Sequence, residues 1–119
     1  RDYLQHHQVN QGILGALQDK RLRNAVNAII ANPKESWSME SLAESCAMSL
    51  ANFIRAFKQK TGILPGKFLT IMRMNMAGML LKNTQKPINV IASEVGYQSD
   101  THFTKVFKSY YGISPGKYR

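Results

Sequence analysis

Two segments of this 119-residue chain place cationic side chains one helical turn apart. Arg55 and Lys58 form the first pair, and Lys105 and Lys108 form the second, fifty positions further on. Residues at this spacing lie on the same side of a helix, so each pair puts two positive charges on one face. Guanidinium and ammonium groups donate hydrogen bonds to phosphate oxygens and to acceptors on the edges of bases. The pattern therefore indicates recognition of a polyanion rather than catalysis.

Short polar side chains accompany these cations on the same outward faces. On a helical wheel, Phe53 and Phe57 define the buried side of the first segment, and Phe103 and Phe107 define that of the second. A helix that enters the major groove of DNA needs short side chains near its N-terminus and long hydrogen-bond donors beside them. The residues predicted to read bases are Ala51, Asn52, Ile54, Arg55, Thr101, His102, Thr104 and Lys105. The residues predicted to contact DNA phosphates are Ser38, Ser49, Lys58, Ser99 and Lys108.

Arg55 is the strongest candidate for base reading. A guanidinium pairs bidentately with guanine O6 and N7, which is worth about 1–3 kcal/mol of discrimination, and Lys105 is its counterpart in the second segment. For His102 a DNA contact and a bystander role both remain open. Asp100 suits the dipole at a helix N-terminus better than it suits a contact with cytosine.

The two segments belong to a longer internal repeat. When residues 49–69 are aligned with residues 99–119, nine of the 21 positions are identical, including the Phe, Gly and Pro positions of "FKQKTGILP" and "FKSYYGISP". Repetition on this scale indicates that one structural unit occurs twice.

Apolar spacing predicts an all-α fold of about seven helices, since no stretch alternates with period two. A first helix begins near Arg21 and ends before Pro33. Two helix-turn-helix units are predicted at about residues 38–62 and 88–112, and a long linker helix at about 65–82 joins them. The serines at 38, 49 and 99 are in N-cap positions, and the glycines at 62 and 112 are in C-cap positions. A last short helix begins at Ser114-Pro115, and the second turn is one residue longer than the first.

The net charge of +9 is confined to one region. Residues 1–45 contain five basic and five acidic residues, whereas residues 46–119 contain eleven basic residues against Glu94 and Asp100. Such a concentrated basic region is typical of a protein that binds nucleic acid, although charge alone leaves RNA and anionic lipid open.

Composition excludes several other classes of protein. The most apolar stretch, near Ile71–Leu81, is interrupted by Arg73 and is shorter than the ~20 residues of a membrane span. His6-His7, His102 and Cys46 are far apart in sequence, and the few acidic residues form no paired or metal-ligand spacing, so we expect neither an enzyme nor a metal or other cofactor. The methionines at 72, 74, 76 and 79 could suggest a soft-metal site, but methionines at helical spacing are more typical of a hydrophobic core.

The segments "SLAESCAMSLANFIRAFKQKTGILPGKFL" and "INVIASEVGYQSDTHFTKVFKSYYGISPGKYR" resemble the two helix-turn-helix units of the AraC/XylS family of bacterial transcription regulators. The resemblance covers about residues 21–119. It implies a seven-helix DNA-binding domain in which the helices at about 49–61 and 99–111 enter successive major grooves beside a promoter. Ala47 departs from the family pattern where Gly is frequent, and Leu64 departs from it where Ser is usual.

The resemblance also implies partners. Residues 1–20 are interpreted as a linker or the remnant of an absent N-terminal sensory domain, residues 21–119 as the DNA-binding domain, and RNA polymerase as a possible further partner. A cytoplasmic, nucleoid-associated location and no membrane contact are expected. The alternative is a nonspecific polyanion-binding or protein-binding helical module.

Overall fold

The computed structural model describes residues 14–119, and no strand occurs in that part of the chain. The all-α prediction is confirmed, and the predicted helix ends agree with the structure to within two residues. Among the described residues, 14–18 are helical. The helices that follow are α1 (Arg23–Ala31), α2 (Met39–Ser45), α3 (Leu50–Thr61), α4 (Pro65–Asn83), α5 (Ile88–Glu94), α6 (Asp100–Tyr111) and α7 (Pro115–Tyr118).

The chain divides into two compact units, each containing one short helix, a turn and a longer helix. Unit 1 comprises residues up to Asn32 together with Trp37–Leu69 and contains α1, α2 and α3. Unit 2 comprises Pro33–Ser36 together with Thr70–Arg119 and contains α5, α6 and α7. Helix α4 begins in unit 1 and continues into unit 2.

In unit 1 the helices begin and end at the capping residues that the sequence predicts. The Ser38 hydroxyl oxygen accepts a hydrogen bond from the Ser41 backbone N–H at 3.0 Å, and the Ser38 N–H donates to the Ser41 hydroxyl at 3.1 Å. This reciprocal arrangement is a capping box with Ser in place of the usual Glu or Gln. At the start of α3 the Ser49 hydroxyl oxygen accepts a hydrogen bond from the Asn52 backbone N–H, and Gly62 ends α3 with a left-handed φ of 82°. These two caps therefore fix where α3 begins and ends.

The core of unit 1 is built around aromatic rings on α3. Phe53 and Phe57 are fully buried, and the Phe57 ring meets that of Phe68 edge to face at a centroid distance of 5.5 Å. Ala56 and Leu42 complete the buried side. Burial of these side chains fixes which face of α3 is left for solvent.

Unit 2 repeats this plan with its own additions. Ser99 caps α6, Gly112 ends it with a φ of 84°, and Phe103 and Phe107 are fully buried. The Tyr111 hydroxyl donates a 2.9 Å hydrogen bond to the backbone carbonyl of Met74 on α4. At the end of the chain, the Arg119 guanidinium donates to the carbonyl oxygens of Leu81 and Thr84 at 3.1 and 2.9 Å, which satisfies carbonyls at the C-terminal end of α4.

The apolar spacing predicted the buried side of α4 only in part. Phe68, Leu69 and Leu81 are buried as the spacing indicated, whereas Met79 is 65% exposed and Met76 is only partly buried. Met74 and Ala77, which the spacing did not indicate, are also buried. Because apolar residues occur all around this helix, their spacing did not single out one face.

The segment before α1 is partly described. Within it, residues 14–18 are helical, Ala16 is fully buried, and a Cβ on Gly15 would lie 2.6 Å from the Lys60 carbonyl oxygen. The described end of the segment interpreted as a linker therefore packs closely against the end of α3. Residues 1–13, including His6-His7 and most of that interpretation, lie outside the described residues.

Candidate nucleic-acid interface

The outward face of α3 carries the predicted side chains. Ala51, Asn52, Arg55 and Lys58 are exposed, and Ile54 is half-buried at the edge of the same face. This face is opposite Phe53 and Phe57, as the helical wheel predicted. It combines small and polar residues near the N-terminus with cations toward the C-terminus.

Arg55 is held in place by its neighbour on the same face. Its Nη1 donates a 3.0 Å hydrogen bond to the Asn52 side-chain oxygen, one turn earlier in the helix. The bond restricts the rotamers of a long side chain before any partner is bound, so less conformational entropy remains to be lost on binding.

A depression of about 230 Å³ adjoins this face. Its walls include Asn52, Arg55 and Gln59 from α3 and Arg21 from the segment before α1. Met48, from the turn between α2 and α3, and Ala56 complete it. Two guanidinium groups therefore line one concave surface in unit 1.

The outward face of α6 has the same character. Thr101, His102, Lys105 and Lys108 are exposed, and Thr104 is half-buried. An open depression of about 380 Å³ in unit 2 is lined by Asp100, Thr101, Thr104, Lys105 and Lys108. Four of its five lining residues are ones that the sequence predicted to contact DNA.

The His102 ring is oriented by an aromatic neighbour. It meets the Tyr97 ring edge to face at a centroid distance of 5.4 Å. Tyr97 is itself buried beneath the Arg73 guanidinium, which lies 5.6 Å from its ring centroid and donates to the carbonyl oxygens of Pro33 and Glu35. Burial raises the pKa of the Tyr97 phenol, which keeps it neutral.

The three serines predicted to contact phosphates act as helix caps. Ser38, Ser49 and Ser99 are exposed, and each hydroxyl oxygen accepts a backbone N–H at the start of a helix. A hydroxyl that accepts a hydrogen bond still has its own proton to donate. The Ser38 hydroxyl is thus placed at the start of α2, and the other two at the starts of α3 and α6.

The two turns have matching geometry with different residues. Ala47 N–H donates to Glu44 O, and at the equivalent place Gly96 N–H donates to Ser93 O. Ala47 has a φ of 55° and Gly96 a φ of 102°, so both turns need a left-handed residue. The second turn then accommodates the one extra residue counted from the sequence.

Residues 14–119 contain no group of three His, Cys, Asp or Glu residues placed to hold a metal ion. Cys46 is buried. None of the helices described is both long and apolar enough to cross a membrane.

Arg21 is a cationic residue at this surface that the sequence pattern missed. It lies outside the internal repeat, so comparing the two copies gave no signal for it. Only the fold brings it beside Asn52 and Arg55.

Comparisons with known proteins identify the family of this chain. A family model described as a helix-turn-helix domain matches residues 42–119, more than half of the chain. Over all 119 residues the chain is 53% identical to an uncharacterized HTH-type transcriptional regulator of Haemophilus influenzae, and it spans 40% of the length of that protein.

Two solved structures have the same fold. A Chromobacterium violaceum transcriptional regulator, described as containing an AraC-type DNA-binding domain, superposes with a TM-score of 0.76 at 32% identity, over 83% of this chain and 88% of the other. The DNA-binding domain of AdpA in complex with a target DNA superposes with a TM-score of 0.78 at 28% identity, over 82% of this chain and 87% of the other.

Proposed function

Because the chain belongs to the AraC-type family of helix-turn-helix transcription regulators, we propose that α3 and α6 are its recognition helices and that each reads bases in a major groove of double-stranded DNA. The family is a class of regulators that bind specific DNA sequences, not a class of enzymes. The observation that carries the proposal is the repeated outward face, in which capped helices of similar length present small polar residues followed by cations.

In unit 1, Arg55 donates to guanine O6 and N7 while Asn52 holds it in place. Ala51 and Ile54 allow close approach and supply apolar surface for a thymine methyl group. The fixed guanidinium makes this unit selective for a guanine at one position.

In unit 2, Lys105 is the long donor, and Thr101 and Thr104 line the same depression. Threonine offers both a hydroxyl and a methyl group, so it contacts either hydrogen-bonding edges or thymine. His102 contributes a ring nitrogen at the edge of this surface.

Lys58, Lys108 and the capping serines contact phosphates. Such contacts fix the register of the protein on the duplex but carry no sequence information. They make binding depend on salt, since each neutralised phosphate releases counterions.

The chain spans 40% of the length of its Haemophilus influenzae relative. We propose that an N-terminal sensory domain controls DNA binding, that RNA polymerase is a further partner at the promoter, and that the protein acts in the cytoplasm at the nucleoid. Under this proposal, residues 1–20 connect the sensory domain to the DNA-binding residues.

Selection from a random duplex library of about 30 base pairs tests the function. We expect a bipartite motif, bound at least ~10³-fold more tightly than a scrambled duplex in anisotropy titrations at two salt concentrations. A single half-site would mean that only one helix reads bases. A steep salt dependence without any preference would instead identify a nonspecific polyanion-binding module.

A further inference from the structure

Arg21 is fixed by an acidic neighbour in unit 1. Its Nε donates to one Asp19 carboxylate oxygen at 3.2 Å, and its Nη2 donates to the other at 2.9 Å. The Arg21 backbone N–H donates to the same carboxylate at 2.9 Å. The Asp19 side chain is only 8% exposed, so its carboxylate holds the Arg21 guanidinium in a fixed orientation.

This pairing uses only one edge of the guanidinium. Arginine has five N–H donors in a planar fork, and Asp19 occupies the edge formed by Nε and Nη2. The donors on Nη1 and the second donor on Nη2 have no partner within residues 14–119, and the Arg21 side chain is 57% exposed. A second edge with bidentate geometry is therefore available to an oxyanion.

The position of Arg21 matches a phosphate rather than a base. Arg21 lines the depression beside Asn52, Arg55 and Gln59, which lie along one flank of α3. An α-helix with its side chains is about 10–12 Å across, close to the ~12 Å width of the major groove. A group beside the flank of a recognition helix therefore meets the sugar-phosphate wall of the groove.

We propose that Arg21, braced by Asp19, binds a DNA phosphate next to the bases that Arg55 reads, which extends the interface beyond the helix-turn-helix. The inference rests on the proposed function, because it requires α3 to lie in the groove. The Asp19 charge reduces the net charge of the pair but fixes the guanidinium in place, so little side-chain entropy is lost when the phosphate binds.

A cycle of protein and DNA changes tests the contact. Arg21→Ala is titrated against the selected duplex and a scrambled duplex, and then against duplexes in which single phosphates are replaced by neutral methylphosphonates. We expect Arg21→Ala to weaken binding of both duplexes about tenfold and to reduce the salt slope by about 0.9. We expect that a methylphosphonate at one position weakens DNA binding by the unchanged protein about tenfold. The same methylphosphonate should leave the DNA affinity of Arg21→Ala unchanged.

Lys20→Ala is the matched control, since it removes the same charge from the adjacent exposed residue outside the depression. It should keep the full sensitivity to that methylphosphonate. Arg21→Lys keeps the charge but not the second edge of the fork, so its affinity should lie between those of Arg21→Ala and the unchanged protein. Thermal melting of each variant separates loss of contact from loss of folding.

The inference is overturned if Arg21→Ala responds to every methylphosphonate as the unchanged protein does, or if Lys20→Ala gives the same pattern. Failure of the proposed function looks different, because the unchanged protein would then show no preference for any duplex. The salt slope measured on the scrambled duplex still tests Arg21 in that case.

Discussion

The side-chain oxygen of Asn52 accepts a 3.0 Å hydrogen bond from Nη1 of Arg55 on the outward face of α3. Both residues are exposed, so the bond brings no burial with it. A solvent-facing bond of this kind adds little to stability, but it selects one orientation of the guanidinium. We therefore expect this hydrogen bond to contribute to DNA binding rather than to the stability of the fold.

Arg55→Ala should weaken binding mainly at one base pair. The loss of a bidentate contact with guanine is worth about 1–3 kcal/mol at that position. Asn52→Ala should relax preference at the same base pair by a smaller amount, because the guanidinium is no longer held. Titration of each variant against all single-base substitutions of the selected duplex measures this, and the double variant should lose less than the sum. Equal losses at every position would show that Arg55 does not read bases.

Lys58→Ala should weaken binding to all duplexes alike. Lys58 is exposed on α3 beyond Arg55, and we propose that its long ammonium side chain contacts a phosphate. We expect the slope of log affinity against log salt to fall by about 0.9, the value for one phosphate contact. Lys108→Ala, at the equivalent position of α6, should behave in the same way. A loss confined to particular base pairs would contradict this role for either lysine.

The two turns provide a prediction about stability. Ala47 has a left-handed φ of 55°, a conformation that costs a residue with a Cβ about 1–2 kcal/mol. Ala47→Gly should therefore raise the free energy of unfolding. The gain should be smaller than this cost, about 1 kcal/mol, because glycine also increases the conformational entropy of the unfolded chain. Urea denaturation measures the change, and no gain would show that the turn relaxes around alanine.

Gly96→Ala is the opposite change at the equivalent position. Gly96 has a φ of 102°, and a Cβ there would lie 2.9 Å from the Lys34 carbonyl oxygen and 3.0 Å from Nε of Arg73. We expect a loss of at least about 1 kcal/mol in the same urea assay.

Acid should lower the free energy of unfolding, because Asp19 becomes protonated. The hydrogen bonds from Arg21 hold the pKa of this carboxyl below its ordinary value of 3.8. A lowered pKa stabilises the folded state above the unfolded value, and that stability is lost as the pH falls through the folded value. As the pH falls through the unfolded value of 3.8 and then through the lower folded value, the unchanged protein should lose more unfolding free energy than Asp19→Asn. Parallel curves for the two proteins in urea titrations would show that Asp19 is not coupled to folding.

Much of the fold follows from the sequence because its signals are local. A cap such as Ser49 and a left-handed glycine such as Gly62 act on their own helix, so their effects are read from neighbouring residues. The outward faces of α3 and α6 follow from the same reasoning, since paired phenylalanines mark the buried side of each helix.

The remaining features depend on contacts between distant parts of the chain. In α4, Met79 satisfies the apolar spacing as well as Met74 does, and only packing decides that Met74 is buried and Met79 is exposed. Arg21 reaches the depression beside Arg55 through the fold of unit 1. The burial of Ala16 likewise depends on where the chain before α1 packs.

Gly78 tests one such tertiary contact in unit 2. A Cβ at this position would lie 2.5 Å from the Tyr111 hydroxyl oxygen, which donates to the Met74 carbonyl. Alanine favours a helix over glycine by about 1 kcal/mol, so the helix alone would be stabilised by Gly78→Ala. We expect the opposite sign in urea denaturation, with a loss of about 1–3 kcal/mol, because the phenol must move and its hydrogen bond is broken.

Two further variants show whether that loss arises from the phenol. Gly66, in the first turn of the same helix, has nothing within 4 Å of an added Cβ, so Gly66→Ala should be neutral or stabilising. In the double variant with Tyr111→Phe, the oxygen that the added methyl group would strike is absent, and Gly78→Ala should then cost less than it does alone. Gly78→Ala could instead cost the same unfolding free energy when the Tyr111 hydroxyl is absent. The close approach at Gly78 would then be to the ring or the backbone, and the hydrogen bond to Met74 would not explain why α4 needs a glycine there.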